Sequence, residues 1–379
     1  MRSSRFHPRR AATLVDVGRA AGVSAMAASA VLNRACTSAR ISEKTRQRIQ
    51  KAAAKLQYRP NAAARALVNR RMNTLGVAAV IEDGGLNQYF LEVLNGVVEA
   101  ATRNGENTTV FTLRDWAADA SRLPQFCDGR IDGMILVGPL LTRAAARPLP
   151  GHTPFVSLHA NHHLPSVVNL ESDEETGAFE MVRHLTDLGH RRVLHLSGPH
   201  GLLGAQRRLR GYRRALAAAR IPFDSGLVAE AGFTVAAGRT AFQRWLSAHA
   251  AQPLPQAVFC VNDDVAIGCM EALAELGLRV PGDISVAGFD DTMGGRTTVP
   301  QLATVRQPLR AMGSQAVDVL LRMVRRHGHE PLPTAGPMVF PVELVLRASI
   351  APPSSESRIS EGPGSRSRPV RVASNAGCC

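Results

Sequence analysis

Apolar residues recur at helical spacing in three short blocks near the start of the chain. After residue 74 they gather into short continuous runs that alternate with longer amphipathic stretches. The first block, 14–20, opens on Thr13 with Asp16 three positions later, the spacing of a short capping box. Ala21-Gly22-Val23 makes a tight turn, and Ser24 caps a second short helix running to about Leu32. A third helix starts near Ser42, with Ile49, Ala53 and Leu56 placing an apolar stripe on one face. Three short helices with a glycine turn between the first two predict a helix-turn-helix. After Tyr58-Arg59-Pro60, the stretch 61–67 offers one or two helical turns capped by Asn61, too short to hold by itself.

In the remainder the pattern predicts strands over 75–81, 108–112, 133–137, 155–158, 193–197, 257–260 and 285–289. Helices are expected over 88–103, 175–188, 206–219, 236–247 and 265–276. Strands alternating with helices imply an α/β body of doubly wound parallel sheets, and the length suffices for two such sheets with a cleft between them. The fold class expected is therefore a small all-α helix-turn-helix domain followed by two α/β lobes. Beyond Ala351 the Pro, Ser, Gly and Arg-rich tail lacks periodicity and is expected to be disordered to Cys379.

Charge sharpens this division. The first 71 residues hold sixteen Lys and Arg against two acids, Asp16 and Glu43, which accounts for the whole formal charge of +14, since the other 308 residues carry 29 of each sign. Charge confined to one end is the footprint of a polyanion-binding module on a neutral body, so nucleic acid is the expected partner. Aromatics are only 4% of the chain, which argues against a single-strand binder built on stacking. The six cysteines are scattered without metal-ligand spacing and read as free thiols in a reducing compartment. No apolar segment follows the basic start MRSSRFHPRRAA as a secretory signal requires, and no apolar run reaches membrane-spanning length. A cytoplasmic protein without membrane association is expected.

The run from Thr13 to Ser24, TLVDVGRAAGVS, followed by Val31-Leu32-Asn33, resembles the headpiece of the LacI/GalR repressor family. Ser42-Glu-Lys-Thr-Arg46 and Leu56-Gln-Tyr-Arg-Pro-Asn61 are similar to its third helix and hinge. In the body, Leu188-Gly-His-Arg-Arg-Val193, Arg208-Leu-Arg-Gly-Tyr212, Val261-Asn-Asp263 and Asp283-Ile-Ser-Val-Ala-Gly-Phe-Asp-Asp291 resemble the landmarks of its regulatory domain, as do Leu302-Ala-Thr-Val305 and Glu343-Leu-Val345. The resemblance spans about residues 13–350. It implies a homodimeric DNA-binding regulator whose two lobes are of periplasmic-binding-protein type. The organisation expected is a flexible basic arm over 1–12, the helix-turn-helix over 13–59, a hinge helix and linker over 60–73, a sensor over 74–350 with crossovers near 172, 307 and 333, and the tail over 351–379.

In a helix-turn-helix the start of the second helix enters the major groove, which directs Ala25, Met26, Ser29 and Ala30 toward base edges. Ala and Met form no bidentate hydrogen bonds. Readout would rest on thymine methyl groups and DNA shape, unlike the polar or bulky pair and the Arg that the family usually has. A helix that packs and touches no base is the plain alternative. Thr13, Ser24, Ser29, Asn33, Ser42 and Tyr58 carry donors suited to phosphates, though Thr13, Ser24 and Ser42 also serve as caps. The resemblance implies that Ala64 and Leu67 lie in a hinge helix over the minor groove, Leu67 wedging between bases and kinking the duplex. Packing between two hinge helices is the other use open to Leu67.

Ligands between α/β lobes bind where loops leave the C-terminal ends of strands. His159, Asn262 and Asp290 follow strands in this way, Arg208 stands where the resemblance implies an effector-binding arginine, and Phe233 where the family often packs an aromatic on the ligand ring. Asp290, Asn262 and Arg208 together match the vicinal hydroxyls of a sugar or nucleoside. Core packing is the alternative for Phe233, and capping or bridging for Asp290. His159 replaces a frequent Asp of the family and brings a titratable ring. The loop between Ile81 and Phe90, with Glu82, Asp83, Asn87 and Gln88, is expected to line the cleft.

Gly198-Pro-His-Gly201-Leu-Leu-Gly204 is spaced GxxGxxG, not as a dinucleotide loop, and His162-His163 and His327-x-His329 lack a third metal ligand. No nucleophile–base constellation accompanies Asp290-Asp291. No catalytic residue, metal or cofactor is expected, and the chain is not expected to be an enzyme. The function expected is a repressor that binds a palindromic double-stranded DNA operator as a homodimer and is released by a small effector, a sugar or related polyol. A solute-binding protein without DNA specificity is the alternative, against which the basic headpiece and the absence of an export signal weigh.

Overall fold

A computed structural model describes residues 10–33, 41–60, 71–81, 87–141, 149–162, 164, 166–325 and 336–354. The expectations for Ala64, Leu67, Glu82, Asp83, His163, His327 and His329, for most of the arm, and for the tail from 355 onward fall outside these residues. The chain forms two compact units, one reaching Thr74 and including Asp128–Asp132, the other comprising the rest.

The first unit holds α1 (Leu14–Ala21), α2 (Ala25–Leu32) and α3 (Glu43–Lys55). Thr13 and Asp16 close a reciprocal capping box, with Thr13 N–H donating to Asp16 Oδ2 at 2.9 Å. Gly22 ends α1 in the left-handed conformation at φ 62°, and α2 leaves at 103° to α1. Val17, Ala21, Ala28, Val31, Ile49, Ala52 and Ala53 form the core, with Leu14, Val23, Leu32 and Tyr58 against it. The stripe on α3 is thus Ile49, Ala52 and Ala53. Leu56 is not part of it, because the helix ends at Lys55 and Leu56 is its half-exposed C-cap.

The second unit carries two parallel sheets. Strands β1 (Thr74–Val80), β2 (Asn107–Leu113), β3 (Gly133–Val137), β4 (Phe155–Leu158) and β5 (Val168–Ser172) join β11 (Met338–Phe340) in the order β11-β5-β4-β3-β1-β2. Helix α4 (Gln88–Arg103) and the later α9 (Leu309–Arg325) pack against this sheet around Val93, Val97, Ala316 and Leu320. We call this lobe 1. In lobe 2, β6 (Val193–Ser197), β7 (Val228–Glu230), β8 (Ala257–Cys260) and β9 (Ser285–Ala287) are ordered β7-β6-β8-β9. Helices α5 (Glu174–Asp187), α6 (Leu203–Ala218), α7 (Val235–Ala248) and α8 (Asp263–Glu275) cover it on both faces. A short antiparallel pair, β10 (Thr304–Arg306) with β12 (Glu343–Val345), completes this lobe.

The chain passes between lobes at Asp173, at Gln307-Pro308 and at Pro341-Val342. The third passage lies beyond the expected position near 333, because Met338–Phe340 still pairs in parallel with Leu170–Ser172 before the chain reaches β12. Strands β5, β7 and β11 and helix α9 extend the elements read from the pattern. The tail does not begin at 351 as expected: Ala351 N–H donates to Ser285 Oγ at 3.1 Å, and Ala351 O is 2.9 Å from His190 Nε2. Among the described residues no single helix is long and apolar enough to cross a membrane.

His195 on β6 is fully buried, stacked between Tyr212 and Phe259 with centroids 5.2 and 5.0 Å away. Nδ1 donates to Phe259 O at 2.9 Å, while Nε2 has no partner among the described residues. Burial therefore pushes the imidazole from 6.5 down to about 4. The folded state holds it neutral and the unfolded state binds the proton first, so its contribution is complete above pH 6.5 and is lost as pH falls toward 4. By pH 5 the loss amounts to about 2 kcal/mol. Thermal or urea unfolding of the wild type should weaken by that margin more than His195→Phe between pH 7.5 and 5, and parallel pH profiles would remove His195 as the cause.

Candidate functional site

In the first unit, helix α2 turns Ala28 and Val31 into the core and leaves Met26 81% exposed on the other side, with Ala25, Ser29 and Ala30 half-buried around it. This outer face holds no side chain that reads a base by two hydrogen bonds. The polar residues beside it are engaged locally. Thr13 Oγ1 donates to Asp16 Oδ2 at 2.7 Å, Ser24 Oγ accepts from Ala27 N–H at 3.2 Å, and Asn33 Nδ2 donates to Ser29 Oγ at 3.0 Å. Ser42 Oγ accepts from Thr45 N–H at 3.3 Å. Tyr58 packs half-buried against the three-helix core. Of the expected phosphate donors, Ser24 and Asn33 stand at the two ends of α2, while Thr13 and Ser42 cap α1 and α3.

In the second unit, the polar residues converge where the strands end and the chain changes lobe. Glu174 opens α5 directly after the first passage. Its carboxylate accepts from Arg208 Nη2 at 2.8 Å and lies 3.5 Å from Arg207 Nη1. Burial opposes the charge on Glu174, but Arg208, His159 and Arg207 outweigh it and hold the carboxyl below the usual range. Arg208 also donates through Nη1 to Val261 O and lies 4.1 Å from the Phe289 ring centroid. Its Nε is buried without a partner among the described residues. A Cβ on Gly204 would overlap the Glu174 carboxylate, so the start of α6 approaches this pair only as glycine.

Asp290 lies 3.9 Å from Arg208 Nη2 and is 4% exposed. Gln307 Nε2 donates to its Oδ1, and among the described residues no donor reaches Oδ2. Burial pushes this carboxyl well up, Arg208 opposes, and Asp263 and Asp264 add to the rise. Its backbone is held at φ 119° and that of Asp291 at φ 59°, a strained pair for non-glycine residues. Asp291 faces away to accept from Arg296, Arg306 and Arg347.

The chain of bonds continues from Gln307. Ser172 Oγ donates to Gln307 Oε1, His159 Nε2 is 2.9 Å from Ser172 Oγ, and His159 Nδ1 is 2.6 Å from Tyr89 Oη. Both ring nitrogens of His159 are therefore engaged by the protein whichever tautomer is present. Burial holds the ring below its ordinary value.

Of the five residues expected at the effector site, the structure brings Arg208, Asp290 and His159 into one hydrogen-bonded and ion-paired cluster. Asn262 adjoins lobe 2 differently: Oδ1 caps α8 at Val265 N–H and Nδ2 donates to Phe233 O, both at 2.9 Å. Phe233 is half-buried against the lobe 2 core beside Gly198. Tyr89, Ser172, Glu174 and Gln307 were not singled out in the sequence. Only Gln307 carried a local signal, a polar residue directly after a strand.

Two family models match the chain: bacterial regulatory proteins of the lacI family over residues 13–61, and a periplasmic binding protein-like domain over residues 182–350. The chain is 30% identical over 322 residues to the HTH-type transcriptional repressor PurR of Vibrio parahaemolyticus, covering 84% of this chain and 94% of that one. It is 30% identical over 343 residues to the ribose operon repressor of Haemophilus influenzae, covering 89% and 98%. Among solved structures, the lac repressor dimer bound to operator and the anti-inducer ONPF is similar with a TM-score of 0.77 at 28% identity, over 90% of this chain and all of that one. A complex of the transcriptional regulator CelR with cellobiose is similar with a TM-score of 0.64 at 28% identity, over 89% and 99%.

The geometry separates two neighbouring acids. Glu174→Ala leaves a buried guanidinium without its carboxylate and should lower unfolding free energy by about 3 kcal/mol or more. Glu175→Ala removes the partly exposed pairs to Arg210 and Arg214 and should cost under about 1 kcal/mol. Urea unfolding of both variants measures the difference, and equal losses would contradict the special place given to Glu174.

Proposed function

The chain belongs to the LacI family of bacterial regulatory proteins, and from that premise we propose that it is a cytoplasmic repressor which binds a palindromic operator as a homodimer and releases it when a small polyhydroxyl effector occupies the cleft at Asp290. As a DNA-binding transcriptional repressor it is not an enzyme. The observation that carries the effector site is the Asp290 carboxylate itself: buried, backbone-strained, with one oxygen held by Gln307 and the other turned to no donor among the described residues. A buried acceptor of this kind is stabilised by ligand hydroxyls or N–H groups. A sugar or related polyol supplies them in pairs, one for Asp290 and one for the Tyr89–His159 side. Similarity to a ribose operon repressor and to a regulator solved with cellobiose supports this class.

In the headpiece, Ala25, Met26, Ser29 and Ala30 would face the major groove, with Thr13, Ser24, Asn33, Ser42 and Tyr58 near phosphates, and Ala64 and Leu67 at the minor groove. The apolar face of α2 makes thymine methyl contacts and DNA shape the source of specificity. Solved with its operator, the lac repressor is a dimer, which supports the same two-fold reading here.

Selection of bound duplexes from fragments of the gene's own upstream region, at about 150 mM salt, should recover a palindrome. Recovery of no preferred sequence would sink the operator reading. On that duplex, Leu67→Ala should weaken specific binding more than nonspecific binding. Asp290→Ala should retain operator affinity within about threefold and lose effector-driven release. An unchanged effector response in Asp290→Ala would remove Asp290 from the site.

A further inference from the structure

Helix α6 of lobe 2 begins without a cap of its own: Leu202 occupies the N-cap position and offers no side-chain acceptor. The acceptor comes from the other lobe. Asn161, in the loop after β4, takes the Leu203 N–H on Oδ1 at 2.6 Å and donates Nδ2 to Gly201 O at 3.3 Å. A second amide makes the same two-pronged contact elsewhere on the cleft. Gln88, at the start of α4 in lobe 1, accepts the Gly294 N–H on Oε1 at 2.6 Å and donates Nε2 to Asp264 Oδ1 at 3.2 Å. A Cβ on Gly294 would overlap the Gln88 amide, so lobe 2 meets this side chain with bare backbone. In each case one lobe 1 carboxamide satisfies a donor and an acceptor of lobe 2 at once, a geometry that no single-lobe function requires.

We infer that Gln88 and Asn161 form two clasps that hold the sensor lobes closed against each other. Both Leu203 and Gly294 present backbone N–H groups whose hydrogen-bond acceptors here are these two side chains. When the lobes part, both amides are returned to water together. Closure is therefore readable as slowed hydrogen exchange at two positions in lobe 2, and the two must respond jointly, because one rigid-body opening exposes both.

The test is residue-resolved hydrogen exchange on the full-length, effector-free protein, which needs no knowledge of the effector. Leu203 and Gly294 should exchange about tenfold or more slowly than in an open chain. Asn161→Ala should abolish protection at Leu203 and also reduce it at Gly294. Gly294→Ala, which pushes the Gln88 amide aside from the lobe 2 side, should reduce protection at Leu203. Asn161→Asp keeps the acceptor and should restore Leu203. Absence of protection at both amides in the wild type would overturn the inference. So would loss confined to the amide nearest each substitution, since that describes a local bond without lobe closure. If either alanine variant is poorly folded, the wild-type protection and the Asn161→Asp response still decide.

Discussion

A guanidinium with 8% of its side chain exposed governs the architecture of the sensor unit. Arginine does not shed its proton in a protein, so burying Arg208 requires charge and hydrogen bonds to replace the water it loses. The replacements come from different parts of the chain: the Glu174 carboxylate at the start of α5, the Val261 carbonyl after β8, and the face of Phe289 after β9. Around that one charge, α6 is locked to its neighbours, and three strand ends or helix starts are brought to a common point. Of the two acids Glu174 takes the closer contact, at 2.8 Å, which leaves Asp290 at 3.9 Å with only a share of the positive field. The acid proposed to meet a ligand is thereby the one left under-compensated.

The passages between lobes follow a different rule. Lobe 1 has one apolar core and lobe 2 has one on each face of its sheet, and none of them merges with that of the other lobe. The connections are polar. Ser172 meets Gln307, tying the first passage to the second, while Asp173 N–H donates to Phe340 O at 2.9 Å and ties the first to the third. On the lobe 2 side, Asp291 gathers Arg306 from β10 and Arg347 from beyond β12. Hydrogen bonds between lobes exchange with water at small net cost, whereas separating a packed core would expose apolar area at roughly 25 cal/mol per Å². A body built this way can change the angle between its lobes without disturbing either interior.

Much of this order was legible in the sequence because it is local. Strands such as β3, β4, β6 and β8 are continuous buried runs and announce themselves. Thr13, Ser24 and Ser42 mark helix starts that the structure places one residue later. Strand β5 is harder: in Val168-Asn-Leu-Glu-Ser172 the polar Asn169 and Glu171 face bonding partners in the cleft region and make the run look like a loop. Helix α9 has a clear apolar stripe in Leu309, Met312, Ala316, Val317 and Leu320. It interrupts the expected alternation because it returns to lobe 1 directly after β10 of lobe 2. At the cleft, Asp290 and His159 could be read from their place after strands. Glu174 and Tyr89 could not, since their partners lie 34 and 70 residues away and no short-range pattern records such pairings.

The separation of the closing contacts from the ligand acceptor bears on the direction of the response. A ligand shifts an equilibrium only by its different affinity for the two states. A molecule that satisfies Asp290 Oδ2 and touches neither Gln88 nor Asn161 adds its bonds to a cleft whose clasps remain made, so it deepens closure. A larger molecule that reaches the rim and takes the Asn161 amide for itself releases Leu203 and Gly201 and favours opening, even when its bonds to Asp290 are the same. Two chemically similar effectors of different size would then act in opposite directions on one site. On the proposed clasps and effector site, the sign of the response would be set by whether the ligand competes with the clasps, and the acid at the centre would set only how tightly it is held.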